Sequence, residues 1–104
     1  METSRLTSLL LAYRASEIVQ KRLDEIEKAY LAKDFETFGR ITMQDSNQFH
    51  AVCLDTYPPI FYMNDTSKII IRLVHVLNNL LGGVKAAYTF DAGPNAVIYT
   101  TDEV

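Results

Sequence analysis

Asp91 is the residue of this sequence whose type and position best suit a catalytic or ligand-binding role. It follows a run of apolar and aromatic residues and precedes a dense turn signal at residues 92–95, so we expect it at the end of a strand. A carboxylate held there is rigid and can be aimed at a ligand. Aspartate is also a common turn former that binds backbone two residues on, which offers a purely structural alternative. The neighbouring Ala92 and Gly93 amides could form a small anion-binding nest.

A second polar group consists of Asp45, Asn47 and His50. Asn47 and His50 are three residues apart and therefore share a helix face. A metal site there would need further ligands of suitable kind and geometry, so we expect none. The structural alternative is a set of polar residues at a helix kink, with His75 as a hydrogen-bonded core histidine, because buried polar groups usually belong to hydrogen-bonded structure.

Apolar spacing predicts three helices that would position these residues. The first ends near residues 32–33, and the second runs from about Phe35 to Leu54 after Asp34 as N-cap. Short polar side chains at residues 45–48 favour a local break in the second helix. Residues 64–67 cap the third helix, and Gly82-Gly83 end it. The expected buried residues are, helix by helix, Leu6, Leu9, Leu10, Tyr13, Val19, Leu23, Ile26 and Tyr30; Phe38, Ile41, Phe49 and Val52; Ile70, Leu73, Leu77 and Leu80.

Two strands are predicted at residues 85–90 and 96–100, which are rich in aromatic and β-branched residues. Two strands alone are marginal in water, so the helices should pack on this antiparallel hairpin. The expected fold class is α+β. The third helix is apolar nearly all round and should lie deep in a larger core.

Composition excludes several classes of partner. The chain of 104 residues has a net charge of −3, and its basic residues do not cluster, so we expect no nucleic-acid or membrane partner. Cys53 is the only cysteine, which precludes an internal disulfide and fits a reducing, cytoplasmic location. The four glycines build no phosphate-cradling loop.

Three stretches of sequence carry a specific resemblance. They are residues 45–56 (DSNQFHAVCLDT), 58–64 (PPIFYMN) and 87–96 (AYTFDAGPNA). In this order they resemble the eukaryotic diphosphomevalonate decarboxylases of the GHMP kinase superfamily, and the resemblance covers nearly the whole chain. It implies that residues 1–104 form part of a GHMP-type C-terminal domain.

The resemblance also implies an activity in isoprenoid and sterol biosynthesis. ATP phosphorylates the tertiary hydroxyl of mevalonate 5-diphosphate, and phosphate and carbon dioxide then leave to give isopentenyl diphosphate. It places the catalytic aspartate at Asp91, and we expect Ala92, Gly93 and Asn47 near the substrate. ATP and Mg²⁺ would serve the full-length enzyme, which is expected to be a cytoplasmic homodimer.

The parts of the family that bind ATP are expected upstream of this chain. The N-terminal ATP-binding domain should thus be absent, and the isolated chain should bind neither ATP nor Mg²⁺ and be inactive. One alternative is a non-catalytic helical module for interaction or dimerisation. Another is a small-ligand binder that uses the Gly93 turn and the face carrying Asn47.

Overall fold

Three helices and one hairpin make up the part of the chain that the structure describes, as the sequence predicts. The computed structural model describes residues 2–101, with side chains described from residue 16 onward. The fold class is α+β. The elements are α1 (Glu2–Leu31), α2 (Phe35–Leu54), α3 (Asp65–Leu81), β1 (Ala86–Thr89) and β2 (Val97–Thr100).

The joint between α1 and α2 follows the predicted capping chemistry. Lys33 has a positive φ of 55°, which turns the chain after α1 ends. The Asp34 carboxylate then accepts a hydrogen bond of 3.2 Å from the Thr37 backbone N–H. These bonds from Thr37 lower the pKa of Asp34 below its ordinary value, because they favour the charged form.

Helix α3 is closed at both ends by residues that the sequence identifies. Asn64 Oδ1 accepts from the Ser67 N–H at 2.9 Å, and Ser67 Oγ accepts from the Asn64 N–H at 3.2 Å. This reciprocal pair is a capping box. Gly82 ends the helix with a left-handed φ of 76°, which an L side chain rarely adopts.

Helix α2 is continuous, so the predicted break at residues 45–48 is wrong. The polar side chains there have partners outside their own helix and do not compete for its backbone bonds. Ser46 reaches the hairpin, and Gln48 accepts from Arg22 of α1. Asp45 is exposed and lies 4.0 Å from Arg22. Its charge is therefore both solvated and paired, so it carries no cost of burial.

The hairpin packs on the helices through β1. Its antiparallel register pairs Ala86 with Thr100 and Thr89 with Val97. The core combines this strand with helix residues and lies between β1, α2 and α3; its buried members are Met43, Val74, Ala86, Ala87, Tyr88 and Phe90. Helix α2 approaches closely at Gly39, where an added Cβ would lie 3.2 Å from Ala87 Cβ and 2.6 Å from Val84 Cγ1.

The predicted buried stripe of α3 is wrong in most of its members. Leu73, Leu77 and Leu80 are exposed, and only Ile70 is partly buried. The side that faces the hairpin instead carries Val74 with the polar residues Ser67 and Asn78, and these three are the buried residues of the helix. Hydrogen bonds make the two polar positions compatible with burial. His75, expected in the core, is exposed.

The expected stripes of α1 and α2 are correct only in part. In α1, Ala29 is buried and Ile26 half-buried, but Val19, Leu23 and Tyr30 are exposed. In α2, Ile41 is buried and Phe38 half-buried, but Phe49 and Val52 are exposed. The side chains of Leu6, Leu9, Leu10 and Tyr13 lie outside those that the structure describes. No helix within residues 2–101 is long and apolar enough to cross a membrane.

Candidate functional site

The first strand is held at its start by side chains of two helices. Asn78 of α3 donates from Nδ2 to the Ala86 carbonyl at 2.9 Å. Its Oδ1 accepts from the N–H groups of Lys85 and Ala86 at 2.9 and 3.0 Å. Glu36 of α2 accepts from the Val84 N–H at 2.8 Å. Side chains of α2 and α3 therefore fix the start of β1 independently of its pairing with β2.

The end of the strand is held by two buried side chains of α2. The Phe90 N–H donates to Ser46 Oγ at 3.0 Å, and the Ser46 hydroxyl lies 3.4 Å from the Phe90 carbonyl oxygen. His50 Nε2 lies 3.0 Å from the same oxygen. A carbonyl can only accept, so this bond requires the proton on Nε2. Both backbone groups of Phe90 are thus satisfied by side chains from one helix.

Asp91 directly follows this fixed residue and is exposed, as the sequence predicts for a carboxylate at a strand end. Its own carbonyl accepts from the Gly93 N–H at 2.8 Å, which closes a tight three-residue turn. Among residues 16–101, no side chain forms an ion pair with its carboxylate. The carboxylate is therefore rigidly mounted at its base and free to engage a molecule outside this chain.

Asn47 lies between Ser46 and His50 in sequence but contacts a different residue. Its Oδ1 accepts a hydrogen bond of 2.7 Å from the buried Tyr88 hydroxyl. His75 Nε2 lies 3.4 Å from the same hydroxyl. Burial raises the pKa of Tyr88 above its ordinary value of 10.0, against the opposing effect of the Asn47 hydrogen bond.

The turn after Asp91 holds the other two residues that the sequence places near the substrate. Ala92 is exposed and Gly93 half-buried. The Gly93 N–H is already used within the turn, so the suggested anion-binding nest lacks that donor. Whether Ala92, Gly93 and Asn47 contact substrate stays a prediction. Within the described part of the chain, no group of three or more His, Cys, Asp or Glu side chains is placed to hold a metal ion.

Sequence reasoning missed Ser46 and Asn78 as parts of this arrangement. Both are polar residues on the side of a helix that faces the hairpin. That placement is the signal that could have found them, because a polar residue on a core-facing side needs a fixed partner. His50 was singled out for its spacing from Asn47, but its partner Phe90, just after β1, could not be inferred from α2 alone.

Fold and site together define a small α+β domain that presents one carboxylate at the end of a clamped strand. The whole chain, residues 1–104, matches the family described as Mevalonate 5-diphosphate decarboxylase C-terminal domain. The chain therefore belongs to this family, as the three motif stretches indicate.

Known relatives agree with this assignment. The diphosphomevalonate decarboxylase of Debaryomyces hansenii is 60% identical over 103 residues, which are 99% of this chain and 26% of that protein. A crystal structure of a mevalonate 5-diphosphate decarboxylase is 55% identical, with a TM-score of 0.86 over 90% of this chain and 24% of that one. A more distant structure, MDDEF in complex with MVAPP, AMPPCP and magnesium, is 26% identical, with a TM-score of 0.77 over 88% of this chain and 28% of that one. The chain spans about a quarter of the length of the relatives it matches.

Proposed function

We propose that this domain is the Asp91-bearing part of an ATP-dependent decarboxylase that converts mevalonate 5-diphosphate to isopentenyl diphosphate. The observation that carries the proposal is the mounting of Asp91: an exposed carboxylate next to a residue whose backbone is bound on both sides by α2. The membership of the chain in a decarboxylase family supports the proposed reaction, and the complex of a relative with MVAPP and AMPPCP supports the proposed substrates.

In this proposal Asp91 acts on the tertiary hydroxyl of the substrate. The carboxylate accepts the hydroxyl proton while the oxygen attacks the terminal phosphorus of ATP, and ADP leaves. Phosphate then departs with the C–O bonding pair, and the electrons of the breaking C–C bond form the new double bond as carbon dioxide is released. The negative charge of a fixed carboxylate also favours the positive charge that develops at that carbon.

The remaining groups needed for phosphoryl transfer are proposed to come from outside this domain. A triphosphate needs a cradle and cations that neutralise its charge. We propose that ATP and Mg²⁺ are bound by another part of the full-length enzyme. That the full-length enzyme is a cytoplasmic homodimer remains a prediction.

The test is the substitution of Asp91 by Asn and by Ala in the full-length enzyme that carries this domain. Turnover should fall by about 10²- to 10⁴-fold, the usual contribution of a positioned acid–base group, with a much smaller change in KM. Asp24→Asn, which neutralises an exposed carboxylate on α1, is the matched control and should keep wild-type turnover. Near wild-type turnover of both Asp91 variants would refute the assignment.

A non-catalytic interaction module is the second candidate. It is favoured by the large apolar side chains exposed on the outer side of α3, with Leu73 and Leu80 61% and 79% exposed. The same Asp91 variants separate the two candidates, because a module used only for contact would not need this carboxylate for turnover.

A further inference from the structure

We propose that Ser46 and His50 are positioning residues that set the orientation of Asp91 during turnover. The proposal rests on the proposed function, since it concerns the same carboxylate. Neither side chain is expected to touch the substrate. Both would act through the backbone of Phe90, the residue immediately before Asp91.

A peptide bond joins Phe90, which α2 holds, to Asp91. A peptide group is planar and rigid, so the Phe90 carbonyl and the Asp91 N–H turn as one unit. His50 Nε2 binds that carbonyl at 3.0 Å, and the Ser46 hydroxyl approaches it at 3.4 Å. These contacts therefore fix the rotation of the Phe90–Asp91 peptide group, to which the Cα of Asp91 is attached.

The position of the strand end is fixed as well as the rotation of this peptide group. The Phe90 N–H donates to Ser46 Oγ at 3.0 Å, so Ser46 binds both sides of one residue. On the other side of Asp91, the Gly93 N–H binds the Asp91 carbonyl at 2.8 Å. Asp91 is thus held between two anchored peptide groups, while its side chain extends from the protein.

The surroundings of His50 hold the imidazole itself in place. Its ring meets Phe49 edge to face at a centroid distance of 5.0 Å, and Tyr62 and Phe90 each lie 6.5 Å away. His50 is 5% exposed and Ser46 3% exposed. Burial of polar groups costs free energy unless they are hydrogen-bonded, and at this site both are bonded to the same backbone residue.

The effect on turnover should be substantial, because catalysis depends on the placement of the carboxylate. A misplacement on the order of 1 Å can lower a rate by about 10²-fold. Loss of the His50 bond removes the shorter of the two contacts that hold the Phe90 carbonyl, so the Phe90–Asp91 peptide can rotate more, and it removes no group that is proposed to contact substrate. The loss should therefore appear in kcat, with KM nearly unchanged.

The experiment measures kcat, KM and thermal stability of four variants of the full-length enzyme. His50→Phe keeps an aromatic ring but removes the donor, whereas His50→Gln restores an N–H near the Nε2 position. Ser46→Ala removes the hydroxyl that binds Phe90. Thr42→Val is the matched control, since it removes a buried hydroxyl of the same helix that donates to the Phe38 carbonyl of α2, at 2.8 Å.

We expect His50→Phe to lower kcat by roughly 10- to 100-fold, His50→Gln to recover most of it, and Ser46→Ala to lower it while Thr42→Val does not. Equal turnover of Ser46→Ala and Thr42→Val, or no difference between His50→Phe and His50→Gln, overturns the proposal. If His50→Phe does not fold, the comparison of Ser46→Ala with Thr42→Val decides.

The Asp91 variants separate this proposal from the proposed function. If Asp91→Asn is inactive but the His50 and Ser46 variants turn over normally, only the positioning role is wrong. If Asp91→Asn keeps its activity, the proposed function fails, and any loss in the His50 variants cannot act through this carboxylate.

Discussion

Asn78 is the side chain whose removal should most clearly destabilise the isolated chain. It is 7% exposed. It binds three backbone groups at the start of β1, which are the N–H of Lys85 and the N–H and carbonyl of Ala86. Ala86 itself is buried at 2% exposure. Asn78→Ala would therefore leave both backbone groups of Ala86 without a partner in a place that water reaches poorly.

The expected loss follows from those two groups. A buried donor or acceptor left without a partner costs about 1–3 kcal/mol, so two cost roughly 4 kcal/mol together. Alanine is a better helix former than asparagine, which returns up to about 0.7 kcal/mol. The net loss should be about 3 kcal/mol, a large share of the roughly 5–15 kcal/mol that stabilises a typical domain.

Equilibrium unfolding in urea, followed by helical circular dichroism, measures this loss. With a slope of about 1.5 kcal/mol/M for a small domain, the midpoint should fall by roughly 2 M. Asn79→Ala is the matched control: it changes the adjacent, exposed asparagine of the same helix and should alter stability by less than about 0.5 kcal/mol. If the two variants unfold at the same midpoint, the hydrogen bonds of Asn78 do not stabilise β1 and the reasoning is wrong.

Two further predictions concern alkaline stability and activity. The folded state raises the pKa of Tyr88, so the contribution of Tyr88 to stability is fully present below its ordinary pKa of 10.0 and is lost as the pH rises through the folded value. Above about pH 10, the free energy of unfolding should therefore fall more steeply with pH in the unmodified chain than in Tyr88→Phe. Parallel curves for the two proteins would contradict this. The isolated chain should release no ADP from ATP with magnesium and mevalonate diphosphate, and it should self-associate in light scattering because Leu73 and Leu80 are exposed. Turnover by a monomer would contradict both expectations.

Local chemistry made most of the fold predictable. Asp34, Asn64 and Gly82 act at short range, through a side chain that binds an N–H three residues on or a backbone that turns left-handed. Such signals depend on neighbouring residues alone, so the ends of the helices agree with the sequence to within a few residues. The hairpin was equally visible, since two β-rich runs flank one strong turn.

The buried faces were less predictable because they depend on which elements meet. Helix α3 is apolar on several sides, so its pattern does not specify one stripe. The side with Leu73, Leu77 and Leu80 has the regular spacing, but β1 packs on the side with Ser67, Val74 and Asn78. That choice follows from the hydrogen bonds that Asn78 makes at the start of β1, with partners seven and eight residues further along the chain, beyond the end of the helix.

In the candidate site, too, the local features were predictable from the sequence and the long-range contacts were not. The position of Asp91 follows from its neighbours in sequence, because a strand end and a glycine turn are both local features. Its support does not, because Ser46 and His50 precede Phe90 by 44 and 40 residues. Ser46 belongs to the polar run at residues 45–48 that suggested a helix break when only α2 was considered. Its contact with Phe90 gives that polar character another meaning: a side chain that would weaken an isolated helix fixes the end of the strand that leads to the carboxylate.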